Sequence, residues 1–317
     1  MKAMSRILTV LMGVLWLAGC QSAHSGIVVG CKNFTEQTVL GEILAQQIER
    51  KTGLPVERRF YLAGSYISHQ ALLAGRIDLY PEYTGTAFTA ILKEKITGSS
   101  REVYKRVREE YHQRFRVEVT EPLGFNNSFA LVVRGDDARL FRLQTISALA
   151  AIAPQWRMGV GYEFLERPDG FAGLAKTYNL HFAAPPRVMD LGLLYRALDE
   201  KQVDVVVGSG TDGLIQARGL AVLEDDKHYF PPYDAVPVVR EDTLAKYPML
   251  RKALADLGGK ITEDDMRRLN YAIDGRHQDL KKLVEEFLKS LDARTLPGKS
   301  NLPGKKAAFV HIVHQVH

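Results

Sequence analysis

Residues 27–80 constrain the fold more than any other part of the chain, because they alternate strand and helix patterns at the spacing of a parallel sheet. Ile-Val-Val-Gly-Cys (27–31) is a short β-branched run and reads as a buried strand. The next stretch puts Val39, Leu40, Ile43, Leu44 and Ile48 on one helical face, with Asn33 or Thr35 as cap and Gly53 as stop. Residues 56–61 give a second strand, Gly64-Ser65 opens a second helix ending at Gly75, and residues 77–80 give a third strand. Successive βαβ crossovers are right-handed, so all three strands end at one rim. Lys32, residues 63–65 and residues 83–86 converge there, beside two helix N-termini that favour an anion. Open α/β sheets place ligands at that rim. It carries Asp-Leu-Tyr-Pro-Glu-Tyr-Thr-Gly-Thr (78–86), in which Pro81 is expected to end the strand and Glu82 to shape the turn. Tyr83 then offers a π-face and Thr86 a hydroxyl; the same residues also suit an ordinary polar turn into a helix.

A chain of 317 residues is too long for one such core and suits two lobes. The pattern breaks at Pro-Leu-Gly-Phe (122–125) and restarts with an apolar strand at 128–133. Further strands follow near 157–160 and 203–207, with helices at 171–178 and 191–201 between them. Pro231-Pro232-Tyr233 marks a return crossing, after which 235–239 and helices near 247–257, 262–274 and 280–291 complete the first lobe. The expected partition is therefore lobe 1 at 27–122 and 221–295, interrupted by lobe 2 at 123–220. An interrupted lobe has two crossings, and hence a hinge.

The two ends differ from the body. Lys2 and Arg6 precede an apolar run, 7–17, too short to span a bilayer comfortably. The run ends in Leu-Ala-Gly-Cys (17–20), which resembles the lipobox of bacterial lipoproteins. That implies a signal peptide at 1–19, a lipidated Cys20, a tether at 20–26, and a mature protein held on a membrane outside the cytoplasm. A plain cleaved signal is the alternative. Residues 296–317 read as a disordered tail, with His311, His314 and His317 at a spacing that also suits a metal on a helix face.

Charge and cysteine content exclude several classes. A net charge of +5, without a basic stripe, does not suit nucleic acid. Cys31 has no disulfide partner if Cys20 is lipidated, and reads as a small buried residue. Gly-Ser-Gly-Thr-Asp-Gly (208–213) fits a dinucleotide-loop pattern, but the stretch before the next strand is too short for the required helix, and a tight turn or backbone nest facing the cleft fits better. No nucleophile elbow, metal helix or acid/base pair appears, so no catalytic residue, cofactor or metal is expected.

Several ordered motifs carry a family likeness. They are Gly-Cys-Lys-Asn-Phe-Thr-Glu-Gln (30–37), the 78–86 stretch, Leu-Gly-Phe (123–125), Arg-Pro-Asp-Gly (167–170), Gln-Val-Asp-Val (202–205), Leu-Glu-Asp-Asp-Lys (223–227), Pro-Pro-Tyr-Asp-Ala (231–235) and Leu-Asn-Tyr-x-x-Asp (269–274). With these the chain resembles substrate-binding proteins of ABC importers for osmoprotectants: glycine betaine, carnitine, choline and proline betaine. The resemblance implies a two-lobed, type II periplasmic-binding-protein fold and a monomer that delivers a small zwitterionic or quaternary-ammonium ligand to a permease with a separate ATPase. It implies a carboxylate clamp of Lys32, Thr86 and Arg167, and an aromatic box of Tyr83, Phe129, Tyr195 and position 209. A quaternary ammonium has no hydrogen to donate, so aromatic faces suit it, whereas a carboxylate wants charged donors. Two residues depart from the pattern: Phe129 stands where a tyrosine is usual, and Ser209 where many members place an aromatic. Losing one wall costs ~1–2 kcal/mol, or a ligand of another shape fills the gap. Asn127 lies beside the box as a further acceptor. A cleft for another small zwitterion, a ligand sensor and a secreted enzyme are the alternatives.

Overall fold

The computed structural model describes residues 26–95 and 98–295. The signal segment, Cys20 and the histidine-bearing tail lie outside the described residues. The first sheet contains β1 (Ile27–Gly30), β2 (Val56–Arg59), β3 (Leu79–Tyr83), β4 (Val117–Val119) and β10 (Ala235–Arg240), in the order β2-β1-β3-β10-β4. β1 runs parallel to β2 and β3, as the βαβαβ spacing requires, while β10 is antiparallel to both its neighbours. The helix Thr35–Thr52 packs Leu40, Ile43, Leu44 and Ile48 into the core of this lobe, with Leu250, Leu254, Met266 and Leu288. Each such side chain contributes roughly 1.5–3 kcal/mol on burial. Gly53 ends the helix in the left-handed region, φ 73°, where a side chain is disfavoured.

Pro81 does not end its strand. It faces Pro237 across the antiparallel β3–β10 pair, at a position where neither residue needs to donate. β3 therefore runs on to Tyr83 and carries Glu82 into the interior.

The second sheet contains β5 (Phe129–Arg134), β6 (Met158–Val160), β7 (Arg187–Val188), β8 (Val205–Ser209) and β9 (Leu220–Leu223), in the order β7-β6-β8-β5-β9. It has its own core, built from Leu131, Val133, Met158, Val160, Phe164, Leu174, Val205 and Val207. The lobe boundaries differ from expectation at both crossings. Leu123 and Phe125 belong to the first core, and residues 220–223 belong to the second sheet because they pair with β5. The two crossing segments run side by side, joined by Leu123 N–H to Ala235 O (2.8 Å), Ala235 N–H to Phe125 O (3.2 Å) and Asn127 N–H to Tyr233 O (3.0 Å). The chain thus changes lobe at about residue 127 and returns at about residue 233. Among the described residues no helix is long and apolar enough to cross a membrane.

Candidate functional site

A cavity of about 590 Å³ lies between the lobes, lined by residues of both sheets and of the crossing segments. Lys32, Tyr83, Thr86, Asn127, Phe129, Arg167, Tyr195 and Ser209 all line it. The structure therefore places all eight side chains expected to bind ligand around one cavity. Their arrangement differs from a bare clamp beside a bare box.

Lys32 leaves the end of β1, and its ammonium pairs with Glu82, which is fully buried. Glu82 also accepts from the Tyr80 hydroxyl (3.0 Å) and the Tyr83 N–H (2.7 Å). Glu82 is the counter-ion of Lys32 rather than only a turn residue; a buried ammonium without one would be far costlier. The Lys32 nitrogen sits 5.2 Å from the Tyr83 ring centroid.

Arg167 shows the same pattern. Its Nε and Nη2 grip Asp169 at 2.9 and 2.5 Å, and its Nη1 donates to the Thr86 hydroxyl at 3.1 Å, across the cleft. Asp169 also accepts from the Tyr233 hydroxyl at 2.6 Å. Burial works against both charges of the pair. Mutual attraction outweighs it, holding the guanidinium firmly protonated and the carboxyl below its ordinary range. The guanidinium lies over Phe129, 5.1 Å from the centroid, and near Tyr233 at 6.0 Å. Phe129 lines the cavity, supports the arginine and packs against Phe164, Phe230 and Tyr233.

The other departure has a polar explanation. Ser209 donates to the Asn127 carboxamide oxygen and lies 3.1 Å from the Thr211 hydroxyl. Asn127 is held in turn by Glu36, the centre of a network the sequence did not reveal. The Glu36 carboxylate accepts from Tyr83 (2.6 Å), Asn127 (2.7 Å), Asn270 (3.0 Å) and Thr211. Burial raises its carboxyl pKa despite those donors. Tyr83 is therefore oriented by its hydroxyl, with Phe34 stacked 6.4 Å away.

One of the two helix N-termini expected to greet an anion already holds one. Glu163, at the start of lobe 2's Tyr162–Glu166 helix, accepts from the Ser65 N–H of lobe 1 at 2.6 Å. The Tyr162 hydroxyl lies 3.3 Å from the Gly64 N–H. With the Thr86–Arg167 and Glu36–Thr211 contacts, this link draws the lobes together.

The sequence motif at 208–213 forms the end of β8 and a five-residue helix, Gly213–Ala217, capped by Asp212. That is too short for a dinucleotide crossover. Cys31 is buried, and burial pushes its thiol up to about 11, which leaves it inert. Among the described residues no cluster of His, Cys, Asp and Glu is suited to a metal.

The chain matches, over residues 25–290, the family described as the substrate-binding domain of ABC-type glycine betaine transport systems. It is 34% identical to the carnitine transport binding protein OpuCC of Listeria monocytogenes, over 86% of this chain and 91% of that one. It is also 34% identical to the ergothioneine transport permease/ergothioneine binding protein EgtU of Helicobacter pylori, over 89% of this chain but only 50% of that longer protein. Among solved structures, one described as a glycine betaine/carnitine/choline ABC transporter superposes with a TM-score of 0.69 at 32% identity, covering 83% of this chain and 98% of the other. The two-lobed α/β architecture is that of type II periplasmic binding proteins. By the match over residues 25–290, this chain belongs to the family of substrate-binding domains of ABC-type glycine betaine transport systems.

Proposed function

We propose that this protein captures a small quaternary-ammonium zwitterion outside the cytoplasm and hands it to a membrane permease driven by a separate ATPase. The observation that carries this reading is the convergence of eight named residues, from both lobes and a crossing segment, on one cavity. Lys32, Thr86 and Arg167 take the ligand carboxylate through N–H and O–H groups left over from their internal pairs. Tyr83, Tyr195 and Phe129 line the ammonium end of the cavity, with Asn127 and Ser209 completing the wall. The names of the relatives support this ligand class. The lobes close about the crossing segments, so the closed, loaded form is the one the permease reads. Lipidation of Cys20 holds the monomer at the membrane surface. Calorimetry of the mature domain against glycine betaine, choline, carnitine and larger trimethylammonium betaines tests the reading. Heat from an ordinary amino acid and from none of these compounds would sink it.

A further inference from the structure

The cavity extends past the ring of Tyr195, one wall of the expected box, into a corner where its hydroxyl lies near Asp212 and Asp274. Asp212 caps the Gly213–Ala217 helix in lobe 2, accepting from the Leu214 N–H at 3.0 Å. Asp274 ends lobe 1's Glu263–Asp274 helix and accepts from the Thr35 hydroxyl at 2.7 Å. Among the described residues neither carboxylate makes an ion pair, and nearby Arg218 is bound to Asp199. The other cationic side chains lining the cavity, Lys32 and Arg167, are each matched by an internal carboxylate. The corner is thus an anionic pole.

An independent feature points to a ligand there. Tyr195 is only 4% exposed, yet its hydroxyl has no hydrogen-bond partner. It lies close to Asp212, over the bare backbone of Gly208, where a Cβ would come within 2.1 Å of the hydroxyl oxygen. A buried unpaired hydroxyl costs free energy that a ligand group can recover. Burial also raises the pKa of both carboxyl groups, against the donors they already have. A quaternary ammonium cannot supply a hydrogen to any of the three.

We propose that Tyr195, Asp212 and Asp274 form a subsite for hydrogen-bond donors, so that the solute carries an N–H or O–H group besides its quaternary ammonium. This rests on the functional reading above and narrows it: glycine betaine, which has no donor, fills the clamp and box but leaves this corner unsatisfied.

The test compares glycine betaine with Nα-trimethylhistidine, a betaine with a ring N–H, by calorimetry. The wild-type protein should prefer the N–H compound at least tenfold. Tyr195→Phe should lower that preference at least tenfold. Without ligand the variant should melt no lower than the wild type, since the lost hydroxyl bonds to nothing in the free protein. Asp212→Asn, which keeps a helix cap, should lower the preference as well. A wild type favouring glycine betaine, or a preference unmoved in both variants, would overturn the subsite and leave the functional reading standing. Binding of neither compound, nor of any other trimethylammonium solute, would overturn that reading and the subsite with it.

Discussion

Gly64→Ala isolates the link between the lobes. Gly64 has extended backbone angles, φ −65° and ψ −164°, which alanine adopts without strain, so lobe 1 folds as before. The new Cβ would lie 2.0 Å from Glu163 Oε1 and 2.2 Å from Cδ. The carboxylate must withdraw, and with it go the Ser65 N–H bond at 2.6 Å and the Ser65 hydroxyl contact at 3.3 Å. A hydrogen bond to a charged acceptor contributes about 1.5–3 kcal/mol, and the helix N-terminus adds about 0.3–1 kcal/mol. The closed form should lose about 2–4 kcal/mol relative to the open one, roughly 30- to 900-fold in that equilibrium. Wherever the open form is populated, ligand affinity weakens by up to the same factor. Calorimetry on the best-binding solute measures the affinity, and small-angle scattering of the ligand-free protein measures the opening. Glu163→Ala should cost about as much, and the double variant no more than either alone, because both remove one contact. Affinity equal to the wild type, or losses that add in the double variant, would refute the argument.

Two further expectations concern groups buried in lobe 1. His69 packs between Tyr111 and Phe115 with neither ring nitrogen bonded, and burial, aided by Arg114 and Lys32, lowers its pKa to about 4. The folded protein keeps it neutral while the unfolded chain protonates it below about 6.5, so its contribution is present above 6.5 and lost as pH falls from there towards 4. The loss approaches about 3 kcal/mol, and urea unfolding at pH 7, 5.5 and 4.5 should show a shallower fall for His69→Leu than for the wild type. Lys32→Met strands fully buried Glu82 and should cost about 3–5 kcal/mol of stability by the same measurement, with Glu82→Gln in that background recovering much of it.

Most strands of both sheets were legible because hydrophobic periodicity is a local property; the two-residue, exposed β7 has no such pattern. Residues 27–80 could be read as βαβαβ since the strands are β-branched and the helix between the first two has one apolar face. Sheet membership is not local. Leu-Ala-Val-Leu (220–223) is a short apolar strand that either lobe could pair, and only contact with β5 assigns it. Pro81 misled for a related reason: a proline ends a ladder unless the facing residue needs nothing from it, and Pro237, far along the chain, meets that condition. The site divides the same way. Lys32 and Arg167 were visible as cations within motifs, and their counter-ions Glu82 and Asp169 stood in the same motifs, but the pairing depends on where those side chains turn. Glu36 lay in the 30–37 motif as an unremarked carboxylate, and its donors come from residues 83, 127, 211 and 270. Nothing short of the fold connects them.

The prior pairing of both cations has a consequence for the ligand. An ammonium has three donors and a guanidinium five, while Glu82 takes one from Lys32, and Asp169 and Thr86 take three from Arg167. Donors are left over, but the net charge of each pair is close to zero. A ligand carboxylate would therefore enter as an acceptor of hydrogen bonds more than as a missing counter-ion. Replacing glycine betaine by its primary amide keeps one carbonyl acceptor and removes the charge. Against a bare Lys–Arg clamp that change would strip two charge-assisted contacts, about 3–6 kcal/mol. Against neutralised pairs it should cost nearer the difference between charged and neutral hydrogen bonds, about 1–2 kcal/mol, or roughly five- to thirtyfold in affinity. Affinities for both compounds at low and at moderate salt decide it. A loss beyond a thousandfold, shrinking as salt rises, would mean that Glu82 or Asp169 turns away when ligand arrives and that the cations meet it unpaired.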